Sequence, residues 1–189
     1  IINESSTMNK KIFCLSLIFL VMIISGCTKD EQNNAKDVPG WNNTRWGMTE
    51  DEIKEIFKDK IVKLDTVEHY GNLKQYSSIG LKDIEIINTK FNVFFVMDED
   101  TKKLVKVVLR HAEPFSIVFM FKLLEAELMK KYGPPFYRDT TSESDKVELF
   151  AMWNFPSTQF RLYYRDDKRM NFQTFNIIYM QNKKVTDNL

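Results

Sequence analysis

The sequence contains few of the residues from which catalytic, metal and nucleotide-binding sites are usually built. Its 189 residues include two cysteines, two histidines and six glycines. The metalloprotease pattern H-E-x-x-H, the nucleophile elbow G-x-S-x-G and a phosphate-binding glycine loop are missing from it. These absences argue against motif-based hydrolases and nucleotide-binding proteins, although a catalytic set that assembles only in the folded chain stays open. We therefore expect a protein that is not an enzyme and that holds no metal or cofactor.

The two histidines and the one acidic cluster do not form a metal-binding pattern. His69 and His111 each lie outside helical or hairpin spacing from another strong metal ligand. The run Asp98-Glu99-Asp100 lacks the glycine and the distal glutamate of a calcium loop. We interpret the histidines as surface or strand-end side chains and the acidic run as a solvated turn.

The N-terminal region carries a short basic head followed by a largely apolar run. Lys10 and Lys11 precede the run Ile12–Ile24, and two small residues then lead to Cys27. A membrane-spanning helix needs about 20 apolar residues, so this run is short for one. It has instead the length and the flanking residues of a secretory signal.

The segment Ile24-Ser25-Gly26-Cys27 resembles the lipobox of bacterial lipoprotein precursors. The resemblance implies a lipoprotein signal peptide over residues 8–26, cleavage before Cys27, and acyl chains on Cys27 that hold the protein at a membrane. The alternatives are an ordinary signal peptide with an unrelated cysteine and an uncleaved anchor helix. We interpret residues 1–7 as a non-native upstream extension, because Met8 with its basic neighbours is the better start.

This resemblance also predicts where the protein works. The residue after the cysteine is Thr28 rather than an aspartate, which favours the outer membrane in diderm bacteria. We therefore expect a lipid-anchored protein of the bacterial cell envelope, on the periplasmic side of the outer membrane if the cell is diderm.

Charge and cysteine content predict that the remainder is neutral and free of disulfides. Of the 27 basic and 26 acidic side chains, Lys10, Lys11 and Glu4 lie in residues 1–26, so 25 of each remain. This balance gives no single-sign field for nucleic acid, which we do not expect as a partner. Cys14 lies in the signal, so Cys27 would be the only thiol left.

Composition divides the remainder into a tether, one domain and a tail. The mostly polar residues 27–40 are interpreted as a flexible tether. Residues 41–182 predict a single α+β domain with sub-units 46–112 and 113–182, and residues 183–189 a tail.

Two helices and a series of strands are predicted within this domain. Thr49 and Glu52 form a capping box for a helix over 49–59, and an apolar stripe predicts a second helix over 116–132 that Gly133 ends. Strand patterns cover 61–67, 73–79, 81–88, 91–97, 105–110, 147–155, 160–164 and 175–179, and the second and third of these are predicted to pair around a turn at Gly80. We expect an antiparallel meander sheet of about seven strands with both helices packed on one face, or two tandem helix-plus-sheet units.

A second resemblance concerns the start of the first helix. The segment from Trp46 to Ile53, with Gly47-Met48-Thr49, is similar to helix starts in small envelope lipoproteins such as the BamE (SmpA/OmlA) family. The helix-plus-sheet unit of that family is similar to the repeats of the β-lactamase inhibitor protein, and Lys131–Pro135 resembles a second helix end in such repeats. The resemblance implies an α+β fold of repeated units and transfers no site residue beyond Cys27.

Period-two alternation predicts that the second face of the sheet is unusually apolar. If Leu149, Trp153, Leu162 and Ile177 face the helices, the strand residues that alternate with them point the other way. The candidate partner-binding face consists of Phe94, Val96, Val108, Phe150, Met152, Tyr163, Ile178 and Met180, with charged residues interspersed. An exposed surface of this kind suits a protein or peptide partner. The alternative is that the tether, a loop such as 137–146 or a second copy covers it.

These observations predict a lipid-anchored, non-catalytic envelope lipoprotein that acts as a protein-binding or assembly module. Its expected partners are the membrane, through Cys27, and another envelope protein. The alternative is a small-molecule or glycan binder, or a hydrolase, with a pocket between the sheet and the helices. Trp41, Trp46, Tyr70 and Tyr76 are the candidate lining residues of such a pocket.

Overall fold

The fold is built on one eight-stranded antiparallel sheet and two helices, in a computed structural model that describes residues 37–70, 73–112 and 118–182. The chain is therefore α+β, as predicted, with one strand more than the expected seven. The elements are α1 Glu50–Phe57, β1 Val62–His69, β2 Gln75–Ile86, β3 Thr89–Asp98, β4 Leu104–His111, α2 Val118–Tyr132, β5 Tyr137–Ser142, β6 Lys146–Asn154, β7 Thr158–Asp167 and β8 Phe172–Gln181. The predicted signal peptide, Cys27, the first part of the tether and the tail lie outside the described residues.

The strands form two meanders rather than the single meander that the sequence predicted. Their order across the sheet is β1-β2-β3-β4-β8-β7-β6-β5. Each helix is followed by four sequential strands, and the two sets meet where β4 pairs with β8, with Val107 opposite Tyr179. The segment between β4 and β5 includes α2, which is long enough to carry the chain to the far edge of the sheet. The element order therefore repeats once along the chain.

The first helix begins at the capping box that the sequence predicted. The amide of Thr49 donates to a Glu52 carboxylate oxygen at 2.7 Å, and the amide of Glu52 donates to the Thr49 hydroxyl at 3.3 Å. Two of the four unpaired amides at the helix start are thereby satisfied. Ile53, on the first turn, is fully buried in the core.

Gly47 has a backbone conformation, just before this helix, that favours glycine. Its φ of 84° lies in the left-handed region that glycine enters without a steric cost. In this conformation its amide donates to the Leu104 carbonyl at 3.0 Å, and the Leu104 amide donates to the Met48 carbonyl at 2.8 Å. The start of the helix is thus hydrogen-bonded to Leu104, the first residue of β4.

The second helix ends where the sequence predicted. Gly133 has a φ of 78°, and its amide donates to the Met129 carbonyl at 2.9 Å. The Trp153 indole donates to the carbonyl of Gly133 at 2.9 Å, which ties the helix end to β6. The predicted first residues of this helix, 116 and 117, lie outside the described residues.

One main core cluster contains residues from both helices and from alternate strand positions. Ile53 of α1 and Phe121 and Leu124 of α2 belong to it. The strand residues that the alternation assigned to the helix side also belong to it, namely Leu149, Trp153, Leu162 and Ile177. The predicted inward positions of β6, β7 and β8 are therefore confirmed.

The prediction of two strands that pair around Gly80 is wrong. Strand β2 runs straight through this residue, which pairs with Val62 on one side and Phe94 on the other. A Cβ atom at Gly80 would lie 2.3 Å from the Val93 carbonyl oxygen, so the glycine permits close strand approach and does not make a turn. The chain reverses instead at Ile87 and Asn88, which both have positive φ.

Residues that were expected to form a loop, 137–146, include the edge strand β5. Arg138 lies opposite Ala151 of β6, and its guanidinium donates to Glu125 of α2 at 2.7 Å. Glu125 is only 7% exposed, and its hydrogen bond raises the pKa of Arg138 above the usual value. This ion pair joins α2 to the edge of the sheet. Local sequence patterns do not predict a contact between residues this far apart along the chain.

Candidate functional site

The second face of the sheet consists of the strand side chains that alternate with those of the main core cluster. One row of these side chains crosses all eight strands in direct register. In order from β1 to β5 it contains Val62, Gly80, Phe94, Val108, Ile178, Arg161, Met152 and Tyr137. The predicted partner-binding residues are therefore brought onto one continuous surface.

Three of those predicted residues are covered by the chain itself. Phe94 is 9% exposed, Val108 is 6% exposed and Val96 is fully buried. Leu64 and Tyr70, from β1 and the residue after it, pack on these three side chains in a second hydrophobic cluster. Phe94, Val96 and Val108 thus form a small core, and they do not offer contact area to a partner. This corrects the predicted face, because the β1 end was not among the expected covering elements.

Hydrogen bonds and an ion pair hold the residues that cover this second cluster in place. The Arg110 guanidinium donates to both Glu68 carboxylate oxygens, at 3.1 and 3.0 Å, and lies 4.5 Å from the centroid of the Phe94 ring. The Tyr70 hydroxyl donates to the same carboxylate at 3.2 Å. Burial raises the pKa of Tyr70 well above the usual range, so its hydroxyl stays protonated. We call Glu68, Tyr70 and Arg110 with Leu64 the cover.

The other five predicted residues remain accessible on the strands of the second half. Phe150, Met152, Tyr163, Ile178 and Met180 are all partly exposed. Phe150 and Tyr163 are direct cross-strand neighbours, with their ring centroids 6.4 Å apart. Contacts between aromatic rings at this spacing stabilise the sheet and hold both rings in place.

Tyr137 extends this surface and was missed by the sequence analysis. It is 49% exposed, and its ring centroid lies 5.9 Å from that of Phe150. The available signal was the run from Tyr137 through Thr140 and Thr141, which is rich in strand-forming residues. We call these six residues the exposed patch: Tyr137, Phe150, Met152, Tyr163, Ile178 and Met180.

Charged side chains border the exposed patch and are mostly paired. The Tyr163 hydroxyl donates to Glu148 at 2.9 Å, and the Lys146 ammonium lies 2.7 Å from the same carboxylate. The hydrogen bond from Lys146 keeps the pKa of Glu148 below its usual value, while burial raises the pKa of Tyr163. Tyr163 is therefore a fixed, neutral hydrogen-bonding group at neutral pH.

The four aromatic residues proposed to line a small-molecule pocket are divided between the two hydrophobic clusters, with Trp41, Trp46 and Tyr76 in or against the main core cluster and Tyr70 in the second. The Trp46 indole donates to the Thr158 hydroxyl at 2.8 Å, and Tyr76 packs against the main core cluster beneath the Lys102 ammonium. Tyr70 belongs to the cover on the opposite face of the sheet. Trp41 borders a cavity of about 370 Å³ beside Phe57.

A different concave site lies between α2 and the β2–β3 hairpin. It has a volume of about 530 Å³ and is lined by apolar side chains with charged groups at the rim. The lining includes Ile86, Ile87, Leu123, Leu124, Leu128, Glu127 and Lys131. We call this site the helix groove.

The histidines occupy positions that suit structural roles. His69 is an exposed side chain whose Nδ1 lies 3.0 Å from Glu99 Oε1. The His111 ring packs at the end of β4 against Phe91 and Phe175, with centroid distances of 5.6 and 6.1 Å. Within the described ranges, no three His, Cys, Asp or Glu residues form a group suited to a metal ion.

Neither helix within residues 37–70, 73–112 and 118–182 has the length and hydropathy to cross a membrane.

Comparison of the chain with family models, curated proteins and solved structures gives no match.

Proposed function

We propose that this chain is a lipid-anchored bacterial envelope lipoprotein that acts as a non-catalytic protein-binding or assembly module. The observation that carries the proposal is the exposed patch. It places two tyrosines, a phenylalanine, two methionines and an isoleucine on one face of the sheet. When one face of an antiparallel sheet is exposed only to water, its side chains are usually polar. Aromatic residues and methionine are enriched in the cores of protein interfaces.

The contrast between the two halves of the second face supports this interpretation. In the first half, the cover shields Phe94 and Val108 from water. In the second half, Phe150 and Met152 continue the same surface without an equivalent cover from the described residues. Within the described residues, one apolar half is therefore shielded and the other is accessible, which favours an external occupant.

The finer architecture supports a docking role. The repeated order of one helix and four strands supports the predicted division into two tandem helix-plus-sheet units, the sub-units 46–112 and 113–182. Both helices contribute to the main core cluster, which supports their packing on the same face of the sheet. Among the described residues, the opposite face of the second unit would then be available to a partner.

Asp37, which belongs to the predicted tether, is hydrogen-bonded to the turn between β6 and β7. Its carboxylate accepts a hydrogen bond from the Ser157 amide at 2.9 Å and another from the Ser157 hydroxyl. Burial would raise the pKa of Asp37, but these hydrogen bonds keep it below its usual value. The first described residue is thus hydrogen-bonded to the β6–β7 turn of the second unit.

The direct test is capture of envelope proteins by cross-linking in intact cells, with wild type compared to Phe150→Asp. We expect the partner captured by wild type to be lost, because a carboxylate in the middle of the patch opposes burial against an apolar surface. Phe119→Asp is the matched control, since Phe119 is 70% exposed on α2 and lies off the sheet. Met152→Lys provides a second variant if Phe150→Asp folds poorly, as judged by circular dichroism. Retention of the same partner by folded Phe150→Asp and Met152→Lys would refute the proposal.

The helix groove favours a second candidate function, the binding of a small apolar molecule. Its volume of about 530 Å³ falls in the range of ligand pockets. Binding of a fluorescent fatty acid that Leu128→Lys abolishes and Met152→Lys leaves intact would support this function.

A further inference from the structure

Two basic side chains lie near the middle of the second face, at the edge of the exposed patch. Lys106 lies on β4, directly opposite Met180 of β8, and Met180 in turn lies opposite Gln159 of β7. Arg161, two residues along β7, lies opposite Ile178. The Arg161 guanidinium donates to the Gln159 side chain at 2.8 Å, so it is drawn toward the row that contains Lys106.

These two cations differ from the other basic residues of this face. Arg110 pairs with Glu68, Lys146 with Glu148, and Arg165 with Asp167. Among the side chains that the structure describes, neither Lys106 nor Arg161 forms an ion pair with a carboxylate. The Lys106 ammonium instead donates to the Gln75 amide oxygen at 2.8 Å and lies 5.2 Å from the centroid of the Tyr70 ring.

The positive charges of Lys106 and Arg161 are both disfavoured by their surroundings in this structure. Burial lowers the pKa of Lys106, and the nearby charge of Arg161 lowers it further. Burial also lowers the pKa of Arg161. A carboxylate placed between the two would reverse these effects, because an opposite charge at short distance stabilises the ionised form.

We propose that the protein partner inserts an acidic side chain, flanked by apolar residues, between Lys106 and Arg161. The flanking apolar side chains would pack on Met152, Ile178 and Met180, which surround the two cations. This inference rests on the proposed function, since it names the chemistry of the segment that the exposed patch receives. Charge complementarity supplies the specificity, and the apolar neighbours exclude water from the ion pair.

The arrangement favours a peptide segment over a membrane surface. Anionic lipid is attracted by clusters of exposed lysine and arginine residues. Here the two cations are partly buried between apolar side chains, and the same face carries Glu148 and Glu68. A single protruding carboxylate can lie between the two cations. A flat surface of anionic headgroups would also approach Glu148 and Glu68, which would repel it.

The test begins with a displayed library of random twelve-residue peptides selected on the full chain in non-ionic detergent. We expect enrichment of sequences with one aspartate or glutamate between apolar residues. A selected peptide is then labelled, and its affinity is measured by fluorescence anisotropy. Lys106→Gln and Arg161→Gln should each weaken binding by about ten- to a hundredfold, the range for losing a hydrogen bond to a charged group. Replacing the acidic residue of the peptide by its amide should have a similar effect.

Matched controls separate the outcomes. Lys122→Gln removes an exposed charge from α2 and should leave the affinity unchanged. If Phe150→Asp abolishes binding while Lys106→Gln and Arg161→Gln do not weaken it, the acidic-segment inference fails and the proposed function stands. If Phe150→Asp has no effect either, both fail. Tight binding of soluble dihexanoyl-phosphatidylglycerol, without enrichment of acidic peptides, would also overturn the inference.

Discussion

The guanidinium of Arg110 lies over the ring of Phe94, 4.5 Å from its centroid, and closes one half of the second sheet face. The same guanidinium forms a two-pronged ion pair with Glu68 on β1. Because β1 is an edge strand with a register shift between Lys63 and Glu68, this ion pair helps to hold the strand end against the sheet. The chain thereby converts apolar surface that the sequence suggested was open into a second small core.

The first prediction concerns this cover. Arg110→Met should lower the free energy of unfolding by roughly 1 kcal/mol, because it removes a partly exposed ion pair and a cation–π contact. It should also increase binding of an apolar dye, since Phe94 and Val108 lose their cover. Urea unfolding and dye fluorescence measure the two effects. The control is Lys54→Met, which breaks an exposed pair with Asp51 at 3.0 Å and should lower stability less than Arg110→Met does. Equal, small effects for both variants would contradict the prediction.

The second prediction uses pH to isolate the cap of α1. Hydrogen bonds from the Thr49 amide and hydroxyl hold the pKa of Glu52 below its ordinary value of 4.5. A carboxyl whose pKa is lower in the folded state adds stability above its unfolded pKa and loses it as the pH falls. Wild type should therefore be more stable than Glu52→Gln at pH 7, and the difference should shrink as the pH drops below about 4.5.

Urea unfolding of both proteins between pH 3 and pH 7 checks this pH dependence. The control is Glu55→Gln, because Glu55 is an exposed glutamate of the same helix that lies beyond the capped first turn. A stability difference between wild type and Glu52→Gln that stayed constant over this pH range would show that the cap does not depend on the carboxylate charge.

The sequence was informative wherever a structure is determined by neighbouring residues. The Thr49 and Glu52 pair identified the start of α1, and Gly133 identified the end of α2, because both motifs satisfy backbone groups within a few residues. Alternation also assigned Leu162 and Ile177 correctly to the main core cluster. These features need no knowledge of distant parts of the chain.

The remaining features depend on contacts between distant residues. The strand β5 is held by β6 and by the ion pair of Arg138 with Glu125, and β4 pairs with β8, which lies about 70 residues further along the chain. The cover over Phe94 likewise needs residues from β1 and β4. Periodicity assigned Phe94 and Phe150 to the same face, but it could not show which of them the chain would bury.

The third prediction concerns Gly80, which the sequence analysis misread as a turn. Gly80→Ala should destabilise the fold by about 1–3 kcal/mol, because the new Cβ would lie 2.3 Å from the Val93 carbonyl oxygen and the strands must move apart. The midpoint of urea unfolding gives the measurement. Lys82→Ala, at an exposed position of the same strand, should have little effect. An alanine at position 80 that is tolerated as well as one at position 82 would refute the close strand approach.

The final prediction tests the proposed anchor at Cys27, which the described residues do not include. In a bacterial host, wild type should fractionate with membranes, and its intact mass should show a chain that begins at Cys27 and carries acyl groups. More than one acyl chain is expected, because a single chain gives only marginal, reversible membrane binding. Cys27→Ser removes the thiol that would be acylated, so this variant should appear in the soluble envelope fraction.

Cys14→Ser is the matched control, because it alters the other cysteine of the sequence and leaves Cys27 in place. It should be acylated and should fractionate as wild type does. If Cys27→Ser stayed in the membrane with residues 8–26 attached, the apolar run itself would be the anchor. An unmodified wild-type chain that retained residues 8–26 would lead to the same conclusion. The exposed patch would then have to be tested in a protein that has no acylated Cys27.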